Sequence, residues 1–474
     1  MDTLPDDVLI AIFSSYLDEC FLEKEREEAW RSLVHVCHRW RTIVFESPRH
    51  LDLQLVCTGS TRARDSLDVW TALPLVIHCE DYEYDDDDDS KDSIRNVDNI
   101  LAVLERRNRV RRIDLEGVSN SNLEMILVAM QQPFPELTSL RLWSYNRTMP
   151  VVPDSFLGGF APRLEVLGLG RILFPGLPRL LLSATHLRVL ELNTPRASNI
   201  LPDAMVTILS TLTSIESLTL VITSPRYFLD RKSQPSPPST RTVLSVLTSF
   251  RFRGVSKYLD DLVARVDTPQ LNELAVTFFS DLEFDTPQFI QFVNRTPRLK
   301  ALERAHITFW NGSAHVKFFP RTSDHGYLDV GIFYTGMYWQ FSFLVRVCTS
   351  CLSPLSVSED LYIYEQLGLQ LKWEVNIENW LWLELLRPFI GVKNLYLSEE
   401  FARHIAPALQ ELVEGRTTEV LPTLENIFLE GLESSGSIEE GIAQFVAARE
   451  VAGRPIAISH RESSKRESIL GYYV

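Results

Sequence analysis

The residues that could do chemistry in this chain fall into a few small groups. Cys348-Thr-Ser-Cys351 has the spacing of half a zinc site. A structural zinc needs four ligands, and no second pair or His-x3-5-His follows. Two packed thiols fit better, because free cysteine buries like a small hydrophobe. His35 and His38 flank Cys37 but sit inside an apolar helical pattern with no further ligand. The run Asp85 to Asp89 lacks the glycine and spaced oxygens of a calcium loop, and a block of like charge reads as a solvated loop. Gly168-Leu-Gly170 has no third glycine and lies inside a strand-like string, so it does not cradle a dinucleotide. The sequence also lacks Gly-x4-Gly-Lys, His-Glu-x-x-His and Gly-x-Ser-x-Gly motifs. The expectation is therefore a protein without catalytic residues, metal ligands or cofactor, whose work is binding.

Composition narrows what it binds. Of 474 residues, 45% are hydrophobic and 10% aromatic, and 63 acidic against 47 basic side chains give a formal charge of −16. That aromatic and aliphatic content excludes a disordered chain, and the acidic excess argues against nucleic acid as a partner. Half the charge is local, since nine carboxylates and one lysine fall between Glu80 and Asp92. The longest uncharged stretch, Gly331 to Val345, is shorter than a bilayer span of about 18–20 residues and reads as aromatic-rich core strands, with no membrane partner. The opening residues carry no basic and apolar leader, and six scattered cysteines do not make a disulfide framework. Both features point to a reducing, intracellular setting, cytoplasmic and/or nuclear.

The elements that would position a binding surface begin at Pro5, whose fixed φ suits a first helical turn. Asp6 and Asp7 follow, where the helix dipole favours negative charge. Leu4, Val8, Leu9, Ile12, Phe13, Tyr16 and Leu17 then recur at three- and four-residue spacing, which predicts a short amphipathic helix. After a charged connector, Glu23 to Glu28, come two further apolar sets, Trp30, Leu33, Val34, Cys37 and Trp40, Ile43, Val44, Phe45, stopped by Ser47-Pro48. Three helices this short cannot bury so many large side chains among themselves, so part of the surface faces a partner.

Leu4-Pro5, Val8-Leu9, Ile12-Phe13 and Leu33-Val34-His35-Val36-Cys37-His38-Arg39-Trp40 together resemble the F-box motif, in which Leu-Pro, an apolar helix and a Val-Cys-x-x-Trp signature follow in that order. The resemblance implies a three-helix module that docks on the adaptor Skp1 within Skp1–cullin–F-box ubiquitin ligases. Leu4, Pro5, Val8, Leu9, Ile12, Phe13, Leu33, Val36 and Trp40 would make that contact.

Downstream, a Leu-x-x-Leu-x-Leu string recurs. It starts at Val110, Leu137, Leu164, Leu187, Ile215, Leu247 and Leu271, with a worn copy at Leu299, at a mean spacing of 27 residues. That lies in the leucine-rich-repeat range, roughly 20–29 residues. Helical patterns fill the gaps at Ser121–Met130, Pro202–Leu212, Tyr258–Val266 and Thr286–Val293, which predicts strand and helix alternating in a solenoid. Between about 300 and 350 the beat weakens. There Ile307 to Asn311 and Val316 to Phe319 read as a hairpin around Gly312. The pattern returns at Leu352-Ser-Pro-Leu355-Ser-Val357, Leu361-Tyr-Ile363, Val392 and Leu424, with helices over Trp380–Leu386, Glu400–Val413 and Ile438–Glu450, the last a cap ahead of a polar tail.

The fold class expected is thus α/β, an N-terminal three-helix F-box followed by an irregular leucine-rich-repeat-like αβ solenoid. The divisions are 1–50 for the F-box, 51–100 for a connector with the acidic loop, and 101–474 for the solenoid, irregular near 300–350. As a whole the chain resembles the expanded F-box families of mushroom-forming fungi, which join an F-box to degenerate leucine-rich repeats. That resemblance implies a substrate-recognition subunit of a Skp1–cullin ligase, or else a Skp1-binding scaffold without ligase activity. Contacts to an unknown protein target would come from outward residues between the buried leucines: Arg141, Trp143, Glu191, Asn193, Thr219, Arg251 and Arg253.

Overall fold

A computed structural model describes residues 4–19, 23–48, 50–58, 67–68, 70, 73–80, 91–145, 148–194, 200–222, 241–279, 284–310, 312–321, 326–334, 336–350, 353–365, 377–412, 416, 418–430 and 436–461. The acidic run Asp85–Asp89, Cys351, the proline-rich segment after Asp230 and the C-terminal tail lie outside the described residues. The chain divides into two compact units, 1–200 with 211–215, and 201–210 with 216–474.

The first unit opens with α1 (Asp6–Asp18), α2 (Glu23–Val36) and α3 (His38–Glu46). The charged stretch Glu23 to Glu28, expected as a connector, is instead the start of α2. Glutamate, lysine and arginine are good helix formers, and Glu27 pairs with Arg31 one turn on. Six parallel strands follow: β1 (Leu55–Cys57), β2 (Leu75–Glu80), β3 (Val110–Glu116), β4 (Ser139–Trp143), β5 (Val166–Gly170) and β6 (Val189–Thr194), each beside the next in chain order. The span 51–100, expected as a connector, therefore holds two strands and the helix Lys91–Leu104. Residues 81–90 join β2 to that helix, so the acidic run falls within the strand-and-helix alternation and not ahead of it.

The core of this unit is the leucine string itself. Register aligns Ile77, Ile113, Leu140, Leu167 and Leu190 on neighbouring strands, and all five are fully buried. Because side chains alternate along a strand, residues between them face the other way. The helix Asn120–Ala129 follows the expected 121–130 and is started by Ser119, whose hydroxyl accepts from Asn122 N–H.

In the second unit β7 (Ser217–Ile222), β9 (Ser249–Gly254) and β11 (Glu273–Phe279) run parallel, and β8 (Thr242–Val243) pairs with β10 (Val266–Asp267) in a two-stranded side ribbon. Next come β12 (Arg304–Trp310), β13 (Ser313–Phe319) and β14 (Tyr327–Phe333), then β15 (Asp360–Glu365), β16 (Asn394–Ser398), β17 (Asn426–Glu430) and β18 (Ala457–Arg461). The spatial order is β7-β9-β11-β14-β13-β12-β15-β16-β17-β18. The expected hairpin is β12–β13, turning at Gly312 with φ 90°, and β13 is antiparallel to both neighbours. That three-strand meander inserted into a parallel sheet is the irregularity near 300–350.

Three local expectations fail in this region. The stretch 331–345, read as strands, gives up its second half to the helix Met337–Thr349, because Phe341, Leu344, Val347 and Cys348 repeat at helical spacing and all are buried. The string at Leu352 is a short helix, Ser353–Val357, with Pro354 in its first turn. The worn copy at Leu299 is a 3-10 turn, Pro297–Ala301. The helices Pro202–Thr211, Ser256–Val263, Pro287–Arg295, Asn379–Leu386, Glu399–Gln410 and Gly436–Val451 lie where expected to within a few residues. The last of them does not end the fold, since β18 follows it and forms the edge of the sheet.

Candidate functional site: a three-helix face and the outward sides of the strands

In the helical module, α1 is apolar on two adjoining faces. Leu9, Phe13 and Leu17 point into the module and are buried, and Leu33 from α2 joins them. Leu4, Val8, Ile12 and Tyr16, spaced by four, form an exposed row beside them. The nine residues expected to dock are thus divided. Leu9, Phe13 and Leu33 hold the helices together and are not available at the surface. Leu4, Pro5, Val8, Ile12 and Val36 are exposed, with Ile12 at 49% and Val36 at 57%, and Trp40 is half-buried with its ring 4.7 Å from that of Phe13. The apolar spacing alone does not separate the two faces, and Tyr16 joins the exposed one.

One side chain fixes the start of α1 against α3 and another starts α3 itself. Arg39 donates to Asp6 Oδ1, from Nε at 3.1 Å and Nη2 at 2.6 Å, and also to the Leu4 carbonyl. Cys37, in extended backbone, accepts the Trp40 N–H on its sulfur at 3.4 Å and so caps α3. The signature cysteine thus acts as a helix cap.

The module is also tied to the first strand. Glu27, buried, accepts the Val56 N–H at 2.8 Å, and burial raises its pKa against the opposing pull of Arg31 and Val56. Trp30 Nε1 donates to the Gln54 carbonyl at 3.2 Å, and Arg26 donates to the carbonyls of Leu17 and Leu51.

On the outward side of the first unit, Arg141, Gly168 and Glu191 lie in register, as do Trp143, Gly170 and Asn193. Arg141 reaches across β5 to Glu191 at 3.7 Å. A Cβ at Gly168 would crowd both, at 3.1 Å from Arg141 Cγ and 3.3 Å from Glu191 Oε2, and one at Gly170 would overlap the six-membered ring of Trp143. Gly168-Leu-Gly170 thus makes room for an outward cluster of Arg141, Trp143, Glu191 and Asn193, all half-buried. Burial and the nearby Arg141 lower the pKa of Arg112, which shares this side of β3.

Arg251 and Arg253 belong to the second unit, on the outward side of β9 with Thr219 across from Arg251 on β7. The seven expected target-binding residues are therefore four in one unit and three in the other. What sequence reasoning missed is further along the same side of the second unit, where His306, Tyr362, Tyr396 and Phe428 share one register row. The available signal was an aromatic between the paired apolar residues of three strings, Tyr362, Tyr396 and Phe428.

Cys37, Cys57, Cys79 and Cys348 are unbridged, and burial pushes the Cys57 thiol up to about 12 and raises that of Cys348 as well. Among the described residues no three His, Cys, Asp or Glu side chains converge as a metal site, and no helix is long and apolar enough to cross a membrane.

Comparison with known proteins bears on the helical module first. A family model described as F-box-like matches residues 1–54. Among solved structures, the leucine-rich repeat-containing protein LegL7 from Legionella pneumophila is similar at 13% identity, over 85% of this chain and 99% of that one, with a TM-score of 0.28. No curated protein matches the sequence. The N-terminal helices of this chain are an F-box-like domain, followed by strands and helices that carry the recurring Leu-x-x-Leu-x-Leu string.

Proposed function

We propose that the protein is a non-catalytic substrate receptor of a Skp1–cullin–F-box ubiquitin ligase. The observation that carries this reading is the exposed row Leu4, Val8, Ile12 and Tyr16 in an F-box-like domain, apolar side chains that the helical module leaves uncovered. On this reading the row, with Pro5 and Val36, packs on Skp1, and Trp40 and Phe13 hold the helices that present it. The repeats bind a target protein through their outward side chains and bring it near a ubiquitin-charged enzyme. The receptor then supplies proximity, and the chemistry belongs to its partners.

Purification of the full chain from cells tests this. Skp1 and cullin are expected to accompany it. Replacing Leu4 and Pro5 together is expected to weaken Skp1 binding about thirtyfold, roughly 2 kcal/mol, as for interface hot spots. Skp1 binding with cullin excluded would favour a repeat scaffold without ligase activity, and no Skp1 binding at micromolar concentration would remove both readings.

A further inference from the structure

The second unit carries a row of outward side chains whose order is set by strand pairing, not by chain order. Register aligns Arg251 of β9 with Ala275 of β11, Asp329 of β14, Lys317 of β13 and His306 of β12. The row continues through Tyr362, Tyr396 and Phe428. Its two ends differ in chemistry.

At the β12–β17 end His306 lies tilted against Tyr362, and the rings after it stack on one another. His306 and Tyr362 are 4.4 Å apart, Tyr362 and Tyr396 lie 4.1 Å apart at 4°, and Tyr396 and Phe428 lie 4.6 Å apart at 10°. All four are half-buried. Burial lowers the His306 pKa to about 3, with Arg304 and Lys317 adding to the effect, so this end is uncharged at neutral pH. Beside it runs a satisfied amide ladder, in which Asn394 donates to Asp360 at 2.7 Å and Asn426 donates to Asn394 at 2.8 Å.

In the middle of the row Asp329 is buried and its charge is matched. His315 Nδ1 lies 2.9 Å from one oxygen, and Lys317 Nζ lies 3.2 Å from the other. At the β9 end Arg251 is half-buried, and Arg253 is exposed with no acidic side chain bonded to it among the described residues. In a chain of net charge −16, two outward arginines side by side at the end of an uncharged aromatic row are a local cationic exception.

Stacking decides which ligands fit. Nucleobases and sugars bind aromatic side chains through free ring faces. Here Tyr362, Tyr396 and Phe428 stack face to face along the row and the Tyr362 side chain hydrogen-bonds Tyr396, so a ligand meets mainly ring edges. Positive ring edges of that kind accept the carbonyl oxygens of a peptide, and the apolar body of the row packs against aliphatic and proline side chains. The row crosses eight strands, or seven spacings of about 4.8 Å, which an extended segment of roughly ten residues would span at about 3.3 Å each.

We propose that this row docks an extended acidic peptide segment of a target protein, with carboxylates on Arg251 and Arg253 and aliphatic or proline side chains along His306, Tyr362, Tyr396 and Phe428. This deepens the receptor reading and rests on it only for the fate of the bound protein.

A random dodecapeptide library panned against the full chain tests it, with a dodecamer of uridine as a second probe. Acid-containing peptides with aliphatic or proline residues on one side of the carboxylates are expected to be enriched. Synthetic versions are expected to bind the R251E/R253E variant at least about tenfold more weakly, since charge-assisted pairs become repulsions. Both substitutions face outward, and an unchanged melting temperature would show that the variant folds. Tyr396→Lys is expected to weaken the same peptides. No consensus, peptides indifferent to R251E/R253E, or tighter binding of the uridine dodecamer would overturn the proposal. Skp1 binding by the same preparation separates the two readings. Lost peptide binding with Skp1 retained overturns this inference alone, whereas retained peptide binding without Skp1 upholds it and overturns the receptor reading.

Discussion

Single residues in this chain act mostly by closing helix ends and strand edges. Asp260 is the clearest case. Its buried carboxylate accepts the Phe289 N–H at 2.9 Å and so begins the next helix, Pro287–Arg295. Burial pushes its pKa up to about 6, against the two backbone hydrogen bonds that pull it down. With the folded value above the ordinary 3.8, the contribution to stability is complete below that value and is lost as pH rises through about 6. Asp260→Asn keeps an acceptor for the helix and removes the ionisation. At pH 7 the variant is expected to be more stable on the order of 2 kcal/mol, an advantage that vanishes near pH 4 in urea midpoints. Parallel pH profiles for the two proteins would show that Asp260 does not titrate in this way. Nothing in the sequence marked Asp260, because its acceptor role depends on a helix that begins 27 residues later. Arg251 and Arg253, by contrast, were legible from strand alternation alone.

Elements were legible where one side of a strand is all leucine. The strings starting at Val110, Leu137, Leu164 and Leu187 became β3 to β6 because a period of two with one apolar side leaves a single burial solution. The helix Met337–Thr349 was hidden by continuous aromatic content, which suits a buried helix and a buried strand equally. Two expected outcomes test how elements are joined. Glu27→Ala leaves the Val56 N–H without its acceptor and Arg31 without its partner. A loss of about 1–3 kcal/mol in the denaturation midpoint is expected, as for other buried unsatisfied groups. An unchanged midpoint would mean that α2 and β1 are not coupled through this carboxylate. Gly170→Val places a side chain where the Trp143 ring now lies, and a loss of roughly 1–3 kcal/mol is expected from overpacking. Gly168→Ala, whose Cβ crowds Arg141 Cγ at 3.1 Å and Glu191 Oε2 at 3.3 Å but overlaps no ring, should cost less.

For the whole molecule, order along the chain was readable and order across the sheet was not. The arrangement β11-β14-β13-β12-β15 places strands out of sequence order, and it is what brings Lys317, His306 and Tyr362 beside one another. A repeat beat cannot reveal that pairing, because each string is complete without it. The net charge of −16 likewise divides into an ordinary acidic body and one run between Glu80 and Asp92, which the chain places between a strand and a helix of the first unit. On the proposed reading, function at this scale depends on one end of the chain holding an adaptor while the repeats hold a target. The adaptor contact is the more exposed of these claims, and Ile12 lies in its middle with its side chain outward. Calorimetric titration of Skp1 into the full chain and into Ile12→Asp tests it most directly. The expected result is a micromolar or tighter Kd, weakened at least about thirtyfold by the substitution at unchanged melting temperature. Skp1 that fails to bind at micromolar concentration, or that binds both proteins alike, would contradict the account.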